Sequence, residues 1–234
     1  MNLKIIISYF LIYFVWGANY IAIYYAIKGI PPFTMIGSRF LIAGLILFAI
    51  DFGRNKKWPS IKESRVAIIQ GFFLNLLGTT SLVWSEQYIP TGMASILVAS
   101  VPIWILFVDY RNWKTNFRKS KMLAGLVLGV AGVGLISFDG QSRADWVTSS
   151  EFIIGLIVIL LGTVSWAYGA IYIKNASQSG SLLMNVAVQL LFAGIIQLLI
   201  GVLVGEQPHV ENVVWETYLS MIHLIILSSL FGYT

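Results

Sequence analysis

The stretch YFVWGANYIAIYYAIKGI, residues 13–30, decides how the rest of the chain is read. It is apolar and aromatic enough for lipid, yet it holds Asn19 and closes on Lys28. Residues 162–180, GTVSWAYGAIYIKNASQSG, follow the same outline 150 positions later: Trp16 falls on Trp166, Ile21 on Ile171 and Ile23 on Ile173. The same offset lays LIAGLI (41–46) on LFAGII (191–196) through Leu41/Leu191, Ala43/Ala193, Gly44/Gly194 and Ile46/Ile196. A slightly longer offset sets Gly78 and Thr80 over Gly232 and Thr234. An internal repeat of membrane helices is the reading to test.

Composition agrees with lipid as the solvent. Of 234 residues, 58% are hydrophobic and 11% charged, whereas soluble domains carry about 25% charged and about 45–50% apolar residues. A globule of this size cannot hide that much apolar side chain from water. The net charge of +5 is clustered between apolar runs, which is membrane-flanking charge and no argument for nucleic acid. Cysteine is absent and only His209 and His223 are present, so no disulfide framework, thiol nucleophile, metal cluster or cofactor is expected. The first apolar run is too long for a cleaved signal peptide and is read as a retained helix.

A helix needs about 20 apolar residues to cross the bilayer core. Eight runs meet that rule, at 5–27, 33–50, 66–87, 92–109, 122–138, 152–173, 182–204 and 216–234. They lack the alternation of barrel strands. In lipid each backbone group must be satisfied within its own segment, so they are helices. The expected fold is an all-α polytopic membrane helix bundle. Linker 51–65 carries Arg54, Lys56, Lys57, Lys62 and Arg65, and linker 110–121 carries Arg111, Lys114, Arg118, Lys119 and Lys121. The turns on the other side are nearly free of Lys and Arg, which places these linkers and the N-terminus in the cytoplasm.

The repeat divides the chain into residues 1–138, five helices, and residues 139–234, which begin a second five. Five is odd, so the second unit enters from the opposite side, the inverted architecture of secondary transporters. Eight helices where two five-helix units predict ten lead to the expectation that this chain is a truncated form of a ten-helix protein.

The residues WGANYIAIYYAIKGIPPF (16–33), the Arg39-Phe40 pair, IPTGMASILVASVPIW (89–104) and LAGLVLGVAGVGLI (123–136) resemble the EamA-type family of the drug/metabolite transporter superfamily. The resemblance covers essentially the whole chain. It implies ten helices in two repeats and the export or exchange of amino acids and other small metabolites; some relatives expel toxic cations.

Several residues are candidates for a central site. Trp16, Asn19, Tyr20, Asn75, Thr79, Trp166, Tyr168 and Gln189 fall towards the middle of their runs. Amides in lipid need partners and face the bundle, and a few convergent polar groups with aromatics suit a small-molecule site. Helix-to-helix hydrogen bonding and core packing are the structural alternative for each. Arg39 lies roughly 9 Å along its helix from Phe33, at 1.5 Å per residue. A buried arginine costs at least about 2.5–3.5 kcal/mol at the bilayer centre. Its partner is Glu86, a substrate carboxylate or helix-end carbonyls, unless it reaches the interface. Glu86 is either an interfacial carboxylate in water or part of the outer mouth of the cavity, attracting a cation or exchanging protons. Pro90 and Gly92 form a turn. Gly92, Ser95, Ala99 and Ser100 make a small-residue packing face. Pro102 should kink its helix and is a hinge candidate. GLVLGVAGVG (125–134) has no Lys-Ser/Thr and no preceding strand, so Gly125, Gly129, Gly132 and Gly134 form a packing face and not a phosphate loop.

The functional expectation is a secondary active transporter of small metabolites such as amino acids, working by alternating access in the inner or plasma membrane. Its partners are the lipid bilayer, a small-molecule substrate, and a proton or exchanged metabolite; pairing of two copies is compatible. A cation or multidrug efflux protein and a nontransporting scaffold are the alternatives. A membrane enzyme is disfavoured because acidic residues are scattered and histidines sparse.

Overall fold

A computed structural model describes residues 3–113, 125, 128, 131, 149–176, 180–207 and 213–232, with side chains from Tyr13 onwards. Its main helices are α1 (Leu3–Gly29), α2 (Pro32–Asn55), α3 (Ile61–Ser85), α4 (Thr91–Val108), α5 (Ser150–Asn175), α6 (Leu182–Leu203) and α7 (Trp215–Phe231). No strand occurs among the described residues. α2 to α6 are long and apolar enough to cross a membrane. The run 122–138, with Gly129, Gly132 and Gly134, lies outside the described residues apart from helical positions 125, 128 and 131.

The chain is a polytopic membrane helix bundle, and its helix ends differ from the apolar runs for local reasons. α2 continues beyond residue 50 to Asn55 and stops where Lys56 turns left-handed (φ 48°). α3 starts five residues before its apolar run because Ser60 and Glu63 form a capping box: the Ser60 hydroxyl accepts from Glu63 N–H and the Glu63 carboxylate accepts from Ser60 N–H at 2.7 Å. That box satisfies two donors that a helix start leaves open. α4 breaks between Thr91–Val98 and Val101–Val108. Pro102 sits in the first turn of the second half, where it needs no N–H donor.

The largest helix pairing is α2 against α6. The two run antiparallel, because α2 begins beside Glu206 and ends beside Ser181. Their backbones touch at glycines. A Cβ on Gly44 would lie 3.0 Å from Leu191 N, and one on Gly194 would lie 2.8 Å from Leu41 N. The contact is reciprocal: Leu191 covers Gly44 while Leu41 covers Gly194. α3 packs on α5, and α1 on α7. Polar clips close both ends of the central pair. Glu206, carried past α6 by Gly205 at φ 76°, accepts from Phe33 N–H at 3.0 Å and Thr34 N–H at 2.7 Å. It thereby caps α2, which has no side-chain cap of its own, and its charge matches the positive end of the helix. At the other end Asp51 accepts from Ser181, the residue that caps α6.

The glycine contacts make a prediction about stability. Gly194→Val should lower stability by about 1–3 kcal/mol, because overpacking there meets backbone. Gly17→Ala and Gly53→Ala, where an added Cβ meets nothing within 4 Å, should stay within about 1 kcal/mol of the parent, towards greater stability. Thermal unfolding in detergent separates the two outcomes.

Candidate functional site

The third and last helices each contain an eight-residue π segment, Phe72–Thr79 in α3 and Leu224–Phe231 in α7. Such wide turns are rare and favour functional sites. In α3 the carbonyls of the wide turn take side-chain donors from neighbouring helices. Ser165 Oγ donates to Phe73 O at 2.7 Å, Trp166 Nε1 to Leu74 O at 2.7 Å and Gln197 Nε2 to Asn75 O at 3.2 Å. Gly78 admits the indole, since a Cβ there would stand 2.5 Å from Trp166 Cδ1. In α7 the wide turn presents Ser228 and Ser229. Arg39 Nε donates to Ser229 Oγ at 2.8 Å and Nη2 to Ser228 Oγ at 3.0 Å.

These two turns face a cavity of about 500 Å³. α1 contributes Trp16, Asn19, Tyr20 and Ile23; α3 contributes Leu74, Thr79 and Leu82. Val98 and Val101 enter from either side of the α4 break, and Trp166, Ala170 and Ile173 from α5. Arg39, Ser228 and Gly232 complete the wall. The lining is mostly apolar, with two tryptophans, and among the described residues Arg39 is its one charged side chain. The two serine hydroxyls orient the guanidinium. The guanidinium also lies 5.0 Å from the Phe40 ring centroid, within cation–π range.

Of the residues singled out in the sequence, Trp16, Asn19, Tyr20, Arg39, Thr79 and Trp166 line this cavity. Four others serve the bundle instead. Gln189 donates to Gln70 Oε1 at 2.8 Å between α6 and α3. Asn75 is fully buried on the α6 side of α3, where its carbonyl receives Gln197. Tyr168 is 52% exposed on the outer face of α5, stacked on Phe73. Pro102 is exposed and adjoins the α4 break. Glu86 neither lines the cavity nor reaches water; it caps α3 and is buried. The sequence reading missed Ser228, Ser229 and His223, whose Nε2 lies 3.1 Å from Asn19 Oδ1. The paired serines in the apolar run LIILSSLF were the available signal.

A second cavity, about 550 Å³, lies at the Asp51 end beside Arg54, Lys57, Trp58, Glu63 and Ser181. Its carboxylates are already engaged, Asp51 by Ser181 and Asn55, Glu63 by the capping box. The central cavity is therefore the candidate site. Among the described residues no group of His, Asp and Glu could hold a metal ion.

Comparison with known proteins agrees with this architecture. The profile of the EamA-like transporter family matches residues 3–138 and again 153–234. The chain is 29% identical over 230 residues to the "Uncharacterized inner membrane transporter YedA" of Escherichia coli (strain K12), covering 96% of this chain and 72% of that protein. It is 29% identical over 193 residues to the "Uncharacterized transporter YvbV" of Bacillus subtilis (strain 168), covering 80% and 59%. It is 23% identical over 235 residues to "Protein PagO" of Salmonella typhimurium, covering 99% and 74%. No solved structure matches. The chain belongs to the EamA-like transporter family and is a membrane transporter.

The Arg39 geometry predicts a split in stability. Ser228→Ala with Ser229→Ala leaves the guanidinium buried without its hydroxyl acceptors and should cost about 1–3 kcal/mol. Arg39→Met removes the charge with the need for partners and should cost less. Chemical unfolding of both variants in one detergent checks the order.

Proposed function

We propose that this member of the EamA-like transporter family is a secondary active transporter of small metabolites that carry a carboxylate on a largely apolar body, amino acids with large apolar side chains among them. The observation that supports this most directly is the Arg39 side chain in the wall of a largely apolar, tryptophan-bearing cavity. A guanidinium holds a carboxylate through paired, charge-assisted hydrogen bonds. Trp16 and Trp166 offer flat apolar walls for the rest of the substrate.

Alternating access follows from two units, residues 1–138 and 139–234, rocking about the α2–α6 contact. Support comes from the reciprocal Leu41–Gly194 and Leu191–Gly44 contacts, which the 150-residue offset exchanges. Further support is the pair of π segments and the double match of the family profile. Inverted repeats move as rigid bodies around a midplane site, and the break at Ala99–Ser100 offers a hinge beside it. The Lys and Arg of residues 51–65 and 110–121 support a cytoplasmic N-terminus. No phosphate loop is present in the sequence, so the driving force is a gradient, through a proton or an exchanged metabolite.

Cation efflux fits less well, because the charged side chain on the cavity wall is itself a cation. A scaffold role predicts no ligand at the cavity. A thermal-shift screen in detergent with amino acids, other apolar carboxylates and lipophilic cations decides among the three. An apolar carboxylate at 100 times its dissociation constant should stabilise the protein by about 2.7 kcal/mol, and Arg39→Met should abolish that shift while remaining folded. Stabilisation by cations alone would favour efflux, and none by any class would favour the scaffold.

A further inference from the structure

The turn that ends α3 holds a group the cavity does not use. Glu86 follows Ser85 directly, and its N–H donates to Leu82 O at 3.1 Å. Its residue is 6% exposed, and neither carboxylate oxygen has a hydrogen-bond partner. Neighbouring donors are committed elsewhere. Ser85 Oγ donates to Gly155 O at 2.9 Å, and Gln87 Nε2 to Trp84 O at 2.9 Å.

Among the described residues, the charged and titratable groups on the surrounding helices leave Glu86 unbalanced. α4 has no ionisable residue between Thr91 and Val108. On α1, Tyr20 lies within electrostatic reach of Glu86, whereas Lys28 is exposed and stands 4.0 Å from the Tyr24 ring centroid. On α2, Arg39 is directed at Ser228 and Ser229. On α5, Glu151 is exposed in the first turn, and Lys174 at the far end pairs with Asp109 at 2.9 Å. A buried carboxylate without partner or counter-ion carries a penalty of several kcal/mol, so the group is stable here as the neutral acid. Leu82, one turn earlier on the same side of the helix, lines the cavity, as does Tyr20. The acid therefore stands one turn beyond the cavity wall, on the α3–α4 connection.

We propose that Glu86 is a proton-binding site: the carboxyl holds a proton while the α3–α4 turn is closed, and releases it to water when that turn opens. The carboxylate is reloaded from the opposite side of the membrane, by way of the cavity one helical turn away, once the cavity faces that side and the turn has closed. One proton enters and one leaves per cycle, which couples the movement to a proton gradient. Coupling rests on the transport reading above; the proton site itself does not.

The test uses the whole protein in detergent and N,N′-dicyclohexylcarbodiimide, an apolar reagent that reacts with protonated carboxyl groups. Adducts are mapped by peptide mass spectrometry from about pH 5 to about pH 9. The expected result is an adduct at Glu86, absent in Glu86→Gln, whose yield falls about tenfold per pH unit once the acid ionises. No adduct at Glu86 at low pH, or a yield that ignores pH, would overturn the proposal; wild-type protein suffices for this arm. In a second arm, the affinity of a carboxylate found by the thermal-shift screen should vary with pH in the wild type and be flat in Glu86→Gln, with binding retained. The same pH dependence in both would remove Glu86 as the coupling group. A chain that binds no carboxylate sinks the transport reading alone, and the labelling at Glu86 still decides the proton site.

Discussion

The close approach of α2 and α6 is the constraint on which the rest of the bundle depends. In lipid there is no hydrophobic drive between helices, so packing and polar clips must hold them. Gly44 and Gly194 let the two backbones touch, and the leucines opposite fill the space a Cβ would need. Once that pair is set, α3 can lie on α5 and α1 on α7. Glu206 and Asp51 then fasten opposite ends of the pair. Both clips join segments more than a hundred residues apart, so each ties the early part of the chain to the late part.

The site grows from this frame through two widened helical turns. In α3 the wide turn offers carbonyls that accept Ser165, Trp166 and Gln197. In α7 it offers hydroxyls that accept Arg39. The same backbone device thus presents acceptors in both helices, carbonyls in one and side-chain hydroxyls in the other. The polar content is not symmetric even though the packing is reciprocal. At the position 150 residues after Arg39 stands Gln189, which bonds within the α3–α6 interface instead of facing the cavity. Among the described residues, the Arg39 guanidinium is the charged group on the cavity wall.

Particular residues show how far the sequence could be read. Trp16, Asn19, Tyr20, Arg39, Thr79 and Trp166 converge as their type and depth imply, because costly side chains in lipid turn towards partners or a cavity. Tyr168 and Gln189 satisfy the same criterion of depth and yet face elsewhere. Depth sets how much a polar group needs a partner, but helical rotation sets which partner it meets, and the π turns shift that rotation. Glu86 suits water or a cavity mouth by sequence, yet it is buried where the turn packs on α5, with Ser85 bonded to Gly155 O, a contact between segments distant in the chain. The helix starts were misplaced where polar residues extend a helix, as Ser60 and Glu63 do.

The sequence by itself determined the solvent, the helical class and the division into spanning segments, since apolar length and backbone satisfaction in lipid admit almost nothing else. It also determined where small residues permit close contact, and its offset of 150 pairs the glycines and leucines that meet. The tertiary structure alone decided which polar groups share a cavity, that Arg39 lies in its wall and that Glu86 lies sealed beyond it. The physical reason is that burial and charge pairing belong to neighbours in space. Arg39 is held by serines about 190 positions away, and Glu86 is left without a partner because its neighbours are engaged elsewhere.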